Sequence, residues 1–181
     1  SVTQVEIDQS VVDMCIKYLP NHSKGAFNDS RLNLVIDDGA KFVRSNKSQF
    51  DVIITDSTDP IGPGETLFES HFYADCAKVM GKNGILVTQN GVPYLQGDEV
   101  TDTYRRWKPL FQTRRFYLTP VPTYAGGAMA MGFGIKQAIS HPSIEILKER
   151  VLSLNGLKYY TPEIHLSAFG LPKFVQNLMV D

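Results

Sequence analysis

The sequence predicts an α/β fold with a mostly parallel sheet and helices on both faces. Short apolar runs typical of buried strands alternate with amphipathic helical segments over the first hundred or so residues. Acidic residues lie at, or directly after, the ends of three of these runs. Nearer the C-terminus, two strand-like segments follow one another without a helix between them, which indicates an antiparallel pair at one edge of the sheet.

Four apolar runs are predicted strands, and they lie at 2–7, 32–36, 50–55 and 84–89. Helices are predicted at 9–18, 40–45, 70–80 and 98–108. Asp8 is a suitable N-cap for the first helix, and Pro20 is expected to end it. The third helix has one apolar face, formed by Phe72, Cys76, Val79 and Met80.

The C-terminal third departs from this alternation. Strands are predicted at 113–118 and 129–135, joined by a segment rich in proline and glycine. A helix is then predicted at 143–154, ending before Gly156, and two short helical pieces follow at 164–169 and 172–179.

Composition is typical of one globular domain. The chain has 181 residues, 43% of them apolar and 20% charged, with a net charge of -1. No run of Lys and Arg is present, which argues against a nucleic acid or a membrane as the partner. We find no signal peptide or membrane-length apolar run, so a cytoplasmic enzyme is the expectation.

Cysteine and histidine spacing gives no indication of a metal site. Cys15 and Cys76 lie far apart without a CxxC pattern, and we expect buried apolar side chains rather than a disulfide or a zinc site. The four histidines show no metal-ligand spacing either.

Two acids three residues apart, Asp56 and Asp59, follow the third strand in a loop that contains Pro60 and Gly62. Ligands of open α/β sheets bind beyond the carboxyl ends of strands, and paired carboxylates suit a cationic amine. Such acids also form Asx-turns or cap the next helix. For the pair we favour the functional interpretation, because the proline and glycine spacing suggests a movable lid.

Acids also lie at the ends of the first two strands. Glu6 is placed where nucleotide-binding α/β folds hold ribose hydroxyls, and Asp38 could accept a hydrogen bond from the exocyclic amine of a base while Gly39 lets the ring approach. A helix cap followed by a glycine explains Asp38 equally well. The chain contains neither GxGxxG nor GxxxxGK[ST], so a nucleoside without a phosphate cradle, such as an adenosyl sulfonium compound, is the better ligand.

The run DSTDPIGP at 56–63 resembles the D-[ST]-[ST]-D-P-x-G-P signature of the spermidine synthases, which are polyamine aminopropyltransferases. Further segments match that family in the same order, and they are VEID at 5–8, DDG at 37–39, LF at 67–68, QNG at 89–91 and VPTY at 121–124. The resemblance covers essentially the whole chain.

This resemblance implies a Rossmann-like, methyltransferase-type fold and a reaction. An aminopropyl group would move from decarboxylated S-adenosylmethionine to putrescine, giving spermidine and methylthioadenosine. The donor would be a substrate, so no cofactor and no metal is implied. A homodimer or homotetramer is also implied.

The resemblance assigns roles to individual residues. Glu6 would hold the donor's ribose, Asp38 and Gly39 its adenine side, and Pro63 would line the thioadenosine site. On the amine side, Asp56 would be the catalytic base, and the amine would be held by Asp56, Asp59, Tyr124 and, as a weaker candidate, Gln89.

One departure from the family pattern concerns the N-terminus. In the family, a further strand, a glycine-rich G-G-G-D-G loop and a small β-rich region come before the strand that ends in Glu6. We therefore expect an N-terminally incomplete single catalytic domain at 1–181, in which the absent strand would be central and would leave apolar edges exposed.

Two alternatives stay open at this point. A methyltransferase on the same fold would use S-adenosylmethionine itself, although the carboxylate of that donor would be repelled by Asp56 and Asp59. A non-catalytic fragment or paralogue would keep the fold without turnover.

Overall fold

A computed structural model describes residues 1–47, 49–60 and 62–180, apart from the side chain of Pro63. The chain divides into two compact units, Ser1–Ser48 and Gln49–Asp181, which are described in turn.

The N-terminal unit is a two-stranded parallel sheet with helices. Its elements are β1 (Val2–Glu6), α1 (Gln9–Tyr18), α2 (Pro20–Ser23), a 3₁₀ turn (Ala26–Asn28), β2 (Leu32–Ile36) and α3 (Gly39–Ser45). The carboxylate of Asp8 accepts the Ser10 amide at 2.8 Å and caps α1 as predicted. α1 ends at Tyr18, before Pro20, as predicted. Pro20 itself begins the separate short helix α2, because proline is tolerated at the first position of a helix.

This unit has a small core. Its buried apolar residues are Val12, Ala40 and Val43. Several apolar side chains of α1 point to solvent, and Met14 is 53% exposed. The helical spacing in α1 therefore predicts the element but not its burial.

The C-terminal unit contains a four-stranded sheet flanked by helices. Its strands are β3 (Phe50–Thr55), β4 (Met80–Gln89), β5 (Thr113–Pro120) and β6 (Ala128–Ile135). Its helices are a 3₁₀ helix (Gly62–Phe68), α4 (Ser70–Val79), α5 (Gly97–Trp107), α6 (Ile144–Val151), α7 (Pro162–Ala168) and α8 (Lys173–Leu178).

The strand order is β3-β4-β6-β5. β3 pairs with β4 in parallel, with Thr55 opposite Thr88. β5 and β6 form the predicted antiparallel pair, and β6 joins it to β4. β4 begins at Met80, four residues earlier than predicted, because Met80 already pairs with Phe50 of β3. A register shift separates this pair from the next one, Val52 with Ile85.

Both faces of this sheet carry helices. On one face the fully buried Trp107 of α5 packs against Phe116, with ring centroids 6.4 Å apart. Phe169, which ends α7, contacts Tyr117 and Phe133 on the other face, with centroids 5.4 and 5.5 Å away. The alternation of neighbouring residues between faces explains this division. The predicted inner face of α4 is confirmed for Phe72, Cys76 and Val79, which are all buried. Met80, predicted as the end of this helix, is also buried but is the first residue of β4.

Across the described part of the chain, every helix is too short or too polar to cross a membrane.

Candidate active site

The carboxyl ends of β3 and β4 bring together candidate residues that lie far apart in sequence. Asp56 directly follows Thr55, the last residue of β3, and Gln89 is the last residue of β4. Because Thr55 and Thr88 are paired in a parallel ladder, Asp56 and Gln89 follow at neighbouring positions of the same sheet edge.

The candidate residues at this edge differ in burial. Asp56 and Asp59 are exposed, whereas Gln89 is only 6% exposed. The side-chain oxygen of Gln89 is buried and has no hydrogen-bond partner in the described structure. A buried amide oxygen without a hydrogen-bond partner costs free energy. A ligand that donates a hydrogen bond to this oxygen would remove that cost.

The loop after β3 folds back on itself. It continues as the 3₁₀ helix Gly62–Phe68, where the sequence analysis predicts only a mobile loop. A Cβ on Gly64 would clash with the hydroxyl of Thr58 and lie 3.2 Å from the carbonyl oxygen of Asp59. Glycine at position 64 is therefore needed for this close approach.

A long-range contact holds the far end of this loop. The guanidinium of Arg106, on α5, donates to the carbonyl oxygen of Phe68 at 2.8 Å. Ile61 and the side chain of Pro63 lie outside the described residues, so the predicted role of Pro63 is not examined by the structure.

Tyr124 lies in the connection between β5 and β6 and is 52% exposed. In the same connection, a Cβ on Gly126 would come within 2.8 Å of Cγ1 of Val92, three residues beyond Gln89. The loop that carries Tyr124 thus packs on the segment that follows β4, on the side of the sheet edge where Gln89 lies.

A buried polar network supports this edge. Asn90 is fully buried, and its side-chain oxygen accepts the Thr88 hydroxyl at 2.7 Å and the Gly132 amide at 3.1 Å. Its amide nitrogen donates to the Thr103 hydroxyl at 2.7 Å. The network therefore links β4, β6 and α5 directly behind Gln89.

Glu99, in the first turn of α5, is a residue that the sequence analysis missed. Burial, and next the negative charge of Asp59, raise the pKa of the Glu99 carboxyl to about 7. Acids in the first turn of a helix are common, so the sequence pattern alone gives no reason to single it out.

In the N-terminal unit, the predicted donor-side residues bind their own backbone. Glu6 accepts the amide of Asp8 at 3.1 Å. Asp38 is the N-cap of α3 and accepts the amides of Ala40 and Lys41 at 2.9 and 3.1 Å, while Gly39 begins the helix. The helix-cap interpretation of Asp38 is confirmed, and it leaves the second carboxylate oxygen, Oδ2, outside these two bonds.

The described residues include no group of three or more His, Cys, Asp or Glu side chains that could hold a metal ion. Cys15 and Cys76 are both free, and Cys76 is buried as predicted, although Cys15 is only partly buried.

A cavity of about 290 Å³ lies on the α7 face of the sheet, and no predicted site residue lines it.

Comparison with known proteins extends these observations. The family described as spermine/spermidine synthase domain matches residues 1–144. A polyamine aminopropyltransferase of Ruegeria sp. (strain TM1040) is 51% identical over 179 residues, and polyamine aminopropyltransferase 1 of Pseudomonas aeruginosa is 51% identical over 176 residues. These alignments cover 98% and 96% of this chain, and 63% and 62% of the two relatives.

Solved structures agree with the predicted fold. A spermidine synthase in complex with the transition-state analogue AdoDATO matches with a TM-score of 0.86 and 36% identity, over 98% of this chain and 60% of that one. The Thermotoga maritima spermidine synthase matches with a TM-score of 0.83 and 35% identity, over 98% and 59%. The chain thus spans about 63% of the length of its curated relatives. It belongs to the spermine/spermidine synthase domain family.

Proposed function

We propose that the protein transfers an aminopropyl group from decarboxylated S-adenosylmethionine to putrescine, giving spermidine and methylthioadenosine. The observation that carries this proposal is the acceptor-rich edge formed by Asp56, Asp59 and the buried, unpaired oxygen of Gln89. Its relatives are named polyamine aminopropyltransferases, and a structural neighbour binds AdoDATO, described as a transition-state analogue.

The chemistry needs such an edge. An amine nitrogen attacks the methylene carbon next to the sulfonium, a new C–N bond forms, and the C–S bond breaks with its electron pair kept by sulfur. The leaving thioether is neutral and needs no acid. An alkyl ammonium has a pKa near that of Lys, about 10.4, so the acceptor arrives protonated and must lose a proton before it attacks.

We assign the proton transfer to Asp56, which follows the strand end and is exposed to the incoming amine. Asp59, Gln89 and Tyr124 would hold the amine in line with the reacting carbon. Much of the rate gain should come from this placement and from carboxylates that stabilise the positive charge.

The remaining proposed contacts are those to the aminopropyl donor. Glu6 would accept hydrogen bonds from the ribose hydroxyls, and Asp38 and Gly39 would contact the adenine. Oδ2 of Asp38 takes no part in the two capping bonds and has a long, 3.9 Å ion-pair contact with the exposed Lys41 ammonium, so it can still accept a hydrogen bond from the adenine, which supports this assignment. Pro63 is proposed as a contact of the thioadenosine group from the sequence resemblance alone.

We also propose that residues 1–181 are part of one catalytic domain, because the matching family domain runs through both compact units. We further propose that the protein forms a homodimer or homotetramer and that it is cytoplasmic. The two free cysteines suit a reducing compartment.

The test is turnover by the complete gene product and its Asp56→Asn variant, with decarboxylated S-adenosylmethionine and putrescine. We expect Asp56→Asn to lower kcat by about 10²-fold or more, the usual size of a general-base contribution, with methylthioadenosine affinity retained. Asp51→Asn is the matched control, since Asp51 is exposed at the opposite end of β3.

Normal turnover in Asp56→Asn, or an equal loss in Asp51→Asn, would contradict the proposed role. Use of S-adenosylmethionine as a methyl donor by the wild-type protein, with no spermidine formed, would instead support the methyltransferase.

A further inference from the structure

The Glu99 carboxylate lies over the turn that follows Gln89. A Cβ built on Gly91 would lie 3.0 Å from both Cδ and Oε2 of Glu99. Gly91 has a φ of 64°, a conformation that disfavours a side chain, so the space above its backbone is left to the Glu99 carboxylate. Glu99 therefore reaches the same sheet edge as Gln89, although the two residues lie ten positions apart.

Three contacts fix this position. The side-chain amide of Gln96 donates to Oε1 of Glu99 at 2.9 Å, and its oxygen accepts the amide of Val92 at 3.0 Å. The backbone carbonyl of Glu99 accepts a longer hydrogen bond, of 3.5 Å, from Asn90. The carboxylate is thus held against the end of β4 from both its side chain and its backbone.

One oxygen of this carboxylate is left unsatisfied. Oε2 of Glu99 is buried and has no hydrogen-bond partner in the described structure, as is true of the oxygen of Gln89. A carboxylate that only stabilised the start of α5 would not need a buried oxygen without a donor. Two hydrogen-bond acceptors without partners therefore lie at one edge, and the negative charge of Asp59 acts on Glu99. A ligand that carries N–H donors and positive charge would satisfy both features.

We propose that Glu99 binds an ammonium group of the acceptor amine and helps select dications such as alkyl diamines. This inference rests on the proposed function, because the occupant is its amine substrate. The ammonium would supply the missing donor to Oε2, and its charge would favour the ionised carboxylate. Glu99 would be a substrate-binding residue, with no proton transfer to the reacting nitrogen.

A pH dependence follows. In the free protein, burial and Asp59 raise the pKa of Glu99 to about 7, so the carboxyl is half protonated near neutral pH. Tyr73 on α4 also interacts electrostatically with Glu99, and burial raises the pKa of Tyr73 to about 12, so it stays neutral below pH 9. Alkyl ammonium groups stay charged over this range. Putrescine affinity should therefore rise between pH 6 and pH 8, as Glu99 ionises.

The experiment measures putrescine binding to the complete gene product by calorimetry, with methylthioadenosine present, at several values of pH from 6 to 8.5. We expect Glu99→Gln to weaken putrescine binding about tenfold or more at pH 8, the size of a lost charge-assisted hydrogen bond, and to flatten the rise in affinity with pH. Methylthioadenosine affinity should stay within about twofold of wild type.

Asp98→Asn is the matched control, because it removes the same charge from the same helical turn at an exposed position. Its putrescine affinity and pH profile should equal those of wild type. The proposal would be overturned if the two variants lost putrescine affinity equally or if Glu99→Gln kept the wild-type affinity. It would also be overturned if the wild-type protein did not bind putrescine. Absence of spermidine formation by a wild-type protein that binds putrescine would count against the proposed function alone, since the binding experiment needs no turnover.

Discussion

The two compact units of the chain differ in how they position their candidate residues. In the N-terminal unit, Glu6 and Asp38 bind backbone amides two or three residues away. In the C-terminal unit, the residues around Gln89 are positioned by contacts that cross from β4 to α5 and β6. Local chain geometry is therefore sufficient for the first set, whereas the second depends on the packing of a whole sheet.

Burial follows the same division. Large side chains such as Trp107, Tyr73 and Phe116 are nearly inaccessible in the C-terminal unit, while Val2, Met14 and Tyr18 of the N-terminal unit are more than half exposed. Substitutions should therefore have unequal effects on the free energy of unfolding, large where packing positions the site and small where local hydrogen bonds do.

The largest expected effect is that of Trp107→Ala. Trp107 is fully buried and contacts the rings of Tyr73, Phe111 and Phe116, so its removal leaves a cavity under β6 and should cost about 3–5 kcal/mol. Urea denaturation of the complete gene product, followed by circular dichroism, measures it. Val12→Ala in the N-terminal unit is the comparison and should cost less than about 2 kcal/mol. Equal costs would contradict the division between the units.

A smaller effect is expected for Asn90→Ala, about 1–3 kcal/mol, because Thr88, Thr103 and the Gly132 amide each lose a buried partner. The exposed Asn83 at the start of the same strand provides the control Asn83→Ala, which should change stability by less than about 0.5 kcal/mol. Asn90 also holds the backbone of Glu99, so its loss should weaken putrescine binding more than methylthioadenosine binding. The reverse order of the two binding losses would argue against this link.

Much of the architecture could be predicted from the sequence, for a physical reason. Strands and helices follow from hydrophobic periodicity and from local breakers, and β3, α1 and the β5–β6 pair are confirmed on that basis. The parallel alternation likewise predicts that Asp56 lies beyond the carboxyl end of a strand, where ligands of open α/β sheets bind.

What could not be predicted depends on contacts between distant residues. Glu99 resembles an ordinary first-turn acid, and only the packing of α5 against Gly91 and the charge of Asp59 distinguish it. The 3₁₀ helix after Asp59 has a proline- and glycine-rich sequence that also suits an open loop. Its close approach depends on Gly64 and on Arg106, a residue 38 positions from the carbonyl it binds.

The smallest effect on stability is expected for substitutions of Asp38. Two substitutions at this position distinguish its role as the N-cap of α3 from its proposed contact with the aminopropyl donor. Asp38→Ala should cost about 1 kcal/mol, because the amides of Ala40 and Lys41 lose their acceptor. Asp38→Asn keeps an acceptor at the N-cap and should leave stability within a few tenths of a kcal/mol of wild type. If Asp38 also contacts the adenine, Asp38→Ala weakens methylthioadenosine binding severalfold in calorimetry, and Asp38→Asn retains more of the affinity because its side-chain oxygen still accepts a hydrogen bond. Unchanged affinity in Asp38→Ala would limit this residue to the helix cap, and the proposed contacts to the aminopropyl donor would then be those of Glu6, Gly39 and Pro63.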